Sequence, residues 1–209
     1  MKLKNKQKGF TLIELMMVIS IMFILVAIFI PNFVKFVDRA RNADSITNSQ
    51  RFQRCLETYN LDSQETGNAR GYPCTASEII NSKAWAEYTP RNVFYTGNSK
   101  TTEPYETGSL SIVKFSGSLT AGSCVILLYK SKVSYSTLLT SAISPFGDNK
   151  GCVTGSIVYY PFRPKDEDSN QDYPNGNNDL VGGYEIRIID ERGLTLPGYK
   201  LSSGEVLSF

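Results

Sequence analysis

Hydrophobic and polar positions along this chain fall into three regimes. Residues 10–30 are 21 in number and include a single charge, Glu14. At about 1.5 Å of rise per residue, a helix of that length just crosses a hydrocarbon layer roughly 30 Å thick. Pro31 follows. It lacks an amide hydrogen and crowds the preceding turn, so it is expected to kink the helix rather than end it. Past Pro31 the pattern turns amphipathic. Phe33, Phe36 or Val37, Ala40, Ala43, Ile46, Phe52, Cys55 or Leu56 and Tyr59 recur at intervals near three and four, with a polar gap at residues 47–51. Charged residues, among them Asp38, Arg39, Arg41, Asp44 and Glu57, fill the intervals. One stripe of this half is therefore free to bury against a globular head. The polar, glycine-containing residues 60–71 place the helix end near Leu61.

The third regime, residues 62–209, reads as an α+β head. Residues 72–104 are mixed. Thr75 or Ser77 can cap a short helix over 75–80, and Trp85 and Tyr88 are expected to cover one edge of the core. Strand signals then dominate at Leu110–Phe115, Cys124–Tyr129, 153–162 and 184–189. In the last, Glu185 and Arg187 alternate with Ile186 and Ile188. Glycine- and serine-rich breaks separate these runs, and Leu138, Leu139 and Ile143 ahead of Pro145 suggest a short helix. The expected architecture is a long kinked helix over 10–61 packed on an antiparallel sheet of four or more strands.

Composition narrows the function. Lys2, Lys4, Lys6 and Lys8 precede the apolar run, which keeps the N-terminus cytoplasmic and sends the rest outward. Losing these four lysines takes the formal charge from +2 to −2, so the balance gives no sign of nucleic-acid contact. The chain has no histidine, which excludes Ser-His-Asp and Cys-His catalysis and any His-containing metal site. No catalytic constellation is found. Cys55, Cys74, Cys124 and Cys152 all lie beyond the apolar run. In an exported domain they read as two disulfides, and the pairing of Cys55 with Cys74 and Cys124 with Cys152 closes the shortest loops.

Glu14 suits no plain anchor. A carboxylate in lipid costs on the order of 3 kcal/mol at the bilayer centre. Cleavage after Gly9 would free an α-ammonium on Phe10. In a bundle of identical helices displaced by about one turn, that ammonium meets the Glu14 of a neighbour. Gly9-Phe10-Thr11-Leu12-Ile13-Glu14-Leu15, the apolar run and Pro31 together resemble the N-terminus of type IV pilins and the pseudopilins of type II secretion. The resemblance covers roughly the first 45 residues. It implies a leader at 1–9, cleavage after Gly9 by a prepilin peptidase, N-methylation of Phe10, and docking of subunits through Glu14.

It further implies a pilin-like fold and a precursor in the bacterial inner membrane with its head in the periplasm. An inner-membrane assembly platform and other pilins would be its partners in a surface filament serving adhesion, twitching motility or DNA uptake. A pseudopilin is the alternative, and an anchored exported enzyme or binding module a remote one. The polar loop 163–183 keeps two readings open. One is a solvated turn-rich surface. The other is a Ca²⁺ site using Asp166, Asp168, Asp172 and Asp179, since hard cations take several oxygen ligands. An EF-hand is excluded because Gln171 stands where its glycine belongs. The calcium-binding loop of major pseudopilins is similar only loosely.

Overall fold

The computed structural model describes residues 9–66, 71–106, 110–117, 119–129, 150–162 and 182–203. The chain divides into two compact units, residues 1–40 and 41–209. Helix α1, Leu12–Glu65, runs through Pro31 and ends four residues beyond the expected Leu61. The polar residues 62–65 keep helical backbone, and the Thr66 hydroxyl donates to the Ser63 carbonyl at 3.2 Å, a group the helix end would leave open.

In the second unit, α2 (Ala76–Ile80) starts at Thr75, whose hydroxyl accepts from the Glu78 amide, and α3 (Lys83–Tyr88) starts at Ser82 in the same way. Among the described residues six strands follow: β1 Thr102–Glu106, β2 Leu110–Phe115, β3 Cys124–Tyr129, β4 Ile157–Phe162, β5 Gly183–Ile188 and β6 Leu201–Ser202. They form one sheet in sequence order. All pairs are antiparallel except β3 with β4. The expectation of an antiparallel sheet is thus corrected at one pair, because the connection from β3 to β4 is long enough to cross over and return in the same direction. The anticipated strand over 153–162 begins only at Ile157, after a 3₁₀ turn at Lys150–Val153. β1 was not anticipated. It carries Pro104, which has no N–H to give, and it lies at a sheet edge where that loss is tolerated.

Both sheet faces are covered. Val113, Leu128, Tyr159 and Ile186 pack with Phe52, Cys55 and Leu56 of α1 and with Trp85. On the other face Leu110, Ile112, Leu127 and Val158 pack with Cys152 and Ile189. The unbroken apolar run of β3 reflects this two-sided burial. Asp190 stands beside this second cluster as a buried carboxylate, accepting from the amides of Arg192 and Leu194 at 2.9 Å each.

The buried stripe of α1 departs from the predicted one. It consists of Ser45, Asn48, Ser49, Phe52, Cys55 and Leu56, while Phe33, Phe36, Ala40 and Ala43 are exposed. The polar members find partners in the head. Asn48 accepts from the Arg91 amide at 3.1 Å, and the hydroxyls of Ser49 and Tyr199 share a hydrogen bond of 2.7 Å. Farther along, Glu57 accepts from the Tyr184 hydroxyl at 2.6 Å and the Tyr72 hydroxyl at 3.0 Å. Burial, reinforced by Glu57, pushes the Tyr72 phenol up to about 12 and that of Tyr184 upward as well, so both remain neutral donors.

Phe52 centres this docking. It is fully buried and meets Tyr159 edge-on, with ring centroids 5.4 Å apart. Phe52→Ala should destabilise the head by about 3–5 kcal/mol, seen as a lowered urea midpoint for the full chain in detergent.

Candidate functional site

Gly9 and Phe10 precede α1 as exposed, irregular backbone. A Cβ built on Gly9 would meet nothing within 4 Å. Glycine here answers no steric demand of the fold, which suits a residue read by an enzyme rather than one needed for packing.

Thr11 is the cap of α1. Its amide and its hydroxyl both donate to Glu14 Oε2 at 2.8 Å, and its hydroxyl accepts from the Glu14 amide at 3.3 Å. This is a capping box, in which the two side chains satisfy each other's orphan backbone donors. It also sets a negative charge at the positive end of the helix dipole. Thr11 went unremarked in the sequence reading, although Thr-x-x-Glu ahead of an apolar run is the signal for it. Both carboxylate bonds use Oε2. Among the described residues none engages Oε1, so the group keeps an acceptor open.

The apolar surface behind Glu14 is bare. Every large hydrophobic side chain from Leu12 to Phe36 is exposed. Among the described residues, α1 is the one helix long and apolar enough to cross a membrane. An uncovered apolar surface of this extent needs lipid or other helices around it. The few polar groups within it are turned inward. Ser20 Oγ donates to the Met16 carbonyl at 2.8 Å and Asn32 Nδ2 to the Ile28 carbonyl at 3.3 Å, leaving few donors to face hydrocarbon.

Residues 4–30, which contain Gly9, Phe10 and Glu14, match the prokaryotic N-terminal methylation motif. The N-terminus is similar to that of type IV pilins. Type IV major fimbrial protein FimA of Dichelobacter nodosus is 40% identical over 65 residues, covering 31% of this chain and 42% of the relative. Type IV major pilin protein PilA of Myxococcus xanthus (strain DK1622) is 34% identical, over 34% of this chain and 39% of the relative. Type II secretion system core protein G of Escherichia coli (strain K12) is 31% identical, over 36% of this chain and 48% of the relative. The chain thus spans about two fifths of the length of the first curated relatives it matches. No solved structure gives a significant match.

The other residues singled out in the sequence lie away from Gly9, Phe10 and Glu14. Pro31 lies inside α1. Cys124 and Cys152 are brought together in one buried cluster, with a hydrogen bond between their side chains. The Cys55 thiol meets the Ser82 hydroxyl and is pushed up to about 12 by burial, while Cys74 Sγ lies 4.0 Å from the Tyr72 carbonyl oxygen. Asp166, Asp168, Asp172 and Asp179 lie outside the described residues, as does the helix anticipated around Leu138. Among the described residues no group of three His, Cys, Asp or Glu side chains is placed to hold a metal.

Proposed function

We propose that this chain is the precursor of a structural subunit of a type IV pilus-like filament. It inserts in the inner membrane through residues 10–30, with the leader lysines on the cytoplasmic side and the head in the periplasm. A prepilin peptidase cuts after Gly9 and methylates the Phe10 amine, which stays cationic. An assembly platform then adds the subunit to a filament at the cell surface.

The observation that carries this reading is the placement of Glu14. It sits one turn into a run with no other charge, directly behind a glycine the fold does not require. Its Oε2 is held by Thr11, and among the described residues none engages its Oε1. Thr11 makes the acid tolerable while the subunit waits in lipid. The ammonium of a neighbouring copy completes its solvation in the assembly, where the apolar faces also pack together. The named relatives that are major fimbrial and pilin proteins support the same reading.

Similarity to a type II secretion core protein supports a second one, in which the filament is short and stays in the periplasm. Electron microscopy with antibody to the head separates the two. Cells making this chain should carry labelled surface filaments that vanish on its deletion. Label confined to the periplasm would favour the secretion reading, and absence of any labelled filament would contradict both.

A further inference from the structure

Cys124 opens β3 and Cys152 sits in the 3₁₀ turn Lys150–Val153 that leads to β4. The backbones around them are fixed from two sides. The Gly122 amide donates to the Gly151 carbonyl at 2.9 Å. Asn92, itself buried, donates through Nδ2 to the carbonyls of Cys124 at 2.7 Å and Thr154 at 2.8 Å. Gly122 and Gly155 allow this closeness. Both have positive φ, and a Cβ on Gly155 would lie 2.7 Å from Asn92 Oδ1, while one on Gly122 would strike the Phe94–Tyr95 backbone. The two sulfurs are left in contact among Leu127, Val153 and Val158.

We propose that Cys124 and Cys152 are oxidised to a disulfide that staples the start of β3 to the turn feeding β4, the one parallel pair in the sheet. The proposal rests on the reading that the head is exported. The sulfurs differ in character. The Cys124 thiol donates to Cys152 and lowers its pKa, whereas that same bond and burial raise Cys124.

The thiolate of one cysteine attacks the disulfide of an exported thiol oxidant, forming a mixed disulfide and expelling one oxidant thiolate. The other cysteine gives up its proton and attacks the sulfur of the first, expelling the second oxidant thiolate. Two electrons pass to the oxidant, which leaves as a dithiol carrying the two protons. Cys124 is fully buried and Cys152 is 2% exposed. The exchange therefore takes place while the head is still folding, and the closed head then shelters the bond from reductants.

The test is peptide mapping of the full chain, alkylated with N-ethylmaleimide as membranes are dissolved and digested with trypsin without reduction. Peptides 115–130 and 151–165 should be recovered linked, lighter by two hydrogens than their sum. C124S and C152S should each lower the melting temperature by roughly 10 °C relative to the oxidised chain. Both peptides carrying the alkyl group, or either joined to Cys55 or Cys74, would overturn the staple. Protease added to spheroplasts separates the causes. Alkylated thiols in a digestible head defeat the disulfide alone, whereas a protected head defeats the export on which it rests.

Discussion

Glu14→Gln yields a chain that inserts and is cut after Gly9 but enters filaments roughly 100-fold less often. Glutamine retains the oxygen that Thr11 needs, and it serves in a capping box as glutamate does, so the start of α1 stays intact. Only the charge is lost. The ammonium of the incoming neighbour then enters an apolar surrounding with no counter-ion, at a cost on the order of 3 kcal/mol, and each 1.4 kcal/mol is a factor of about ten. The measurement is the ratio of chain in sheared filaments to chain in membranes, by immunoblot. Glu14→Ala, which loses cap and charge together, should be at least as defective. A Gln variant with normal filament yield alongside a defective Ala variant would mean that Glu14 matters for its cap alone.

The second large effect is at the cleavage site. Gly9→Leu should leave the nine leader residues on essentially every molecule. Because a Cβ at position 9 meets nothing within 4 Å, the variant should fold and insert as the parent does, so the defect is confined to processing. Intact mass of the membrane-extracted chain reads this directly. Without cleavage Phe10 has a peptide nitrogen in place of an ammonium, so filaments should be missing as well. A Gly9→Leu chain that is still trimmed to Phe10 would show that the glycine is not what the peptidase reads.

Much of this was legible before any coordinates, and the exceptions have physical causes. The apolar run and the periodicity after Pro31 were enough to define α1, and the strands β2, β3 and β5 stood out as β-branched and alternating segments. The docking stripe was misplaced because hydrophobic periodicity is blind to buried polar residues. Ser45, Asn48 and Ser49 go inside, two of them because Tyr199 and the Arg91 amide meet them there, which no pattern along α1 reveals. β1 was hidden by Pro104 and its polar neighbours, which belong to an edge. The parallel pairing of β4 with β3 is a matter of tertiary packing rather than local pattern. At the site itself, Gly9 at the polar–apolar junction and Glu14 inside the apolar run stood out from their chemistry, while the roles expected of them and of Phe10 came from the resemblance. The cap at Thr11 was equally readable from Thr-x-x-Glu ahead of the apolar run.

The pairing between copies can be trapped covalently. A hydrophobic carbodiimide joins a carboxylate to an amine only where they touch, with loss of one water. Applied to sheared filaments, it should produce chain dimers in which the Phe10 nitrogen of one copy is linked to Glu14 of another. Filaments that give no such dimer, or that link Phe10 to Glu14 only within single chains, would contradict the pairing of Glu14 with a neighbour's freed N-terminus.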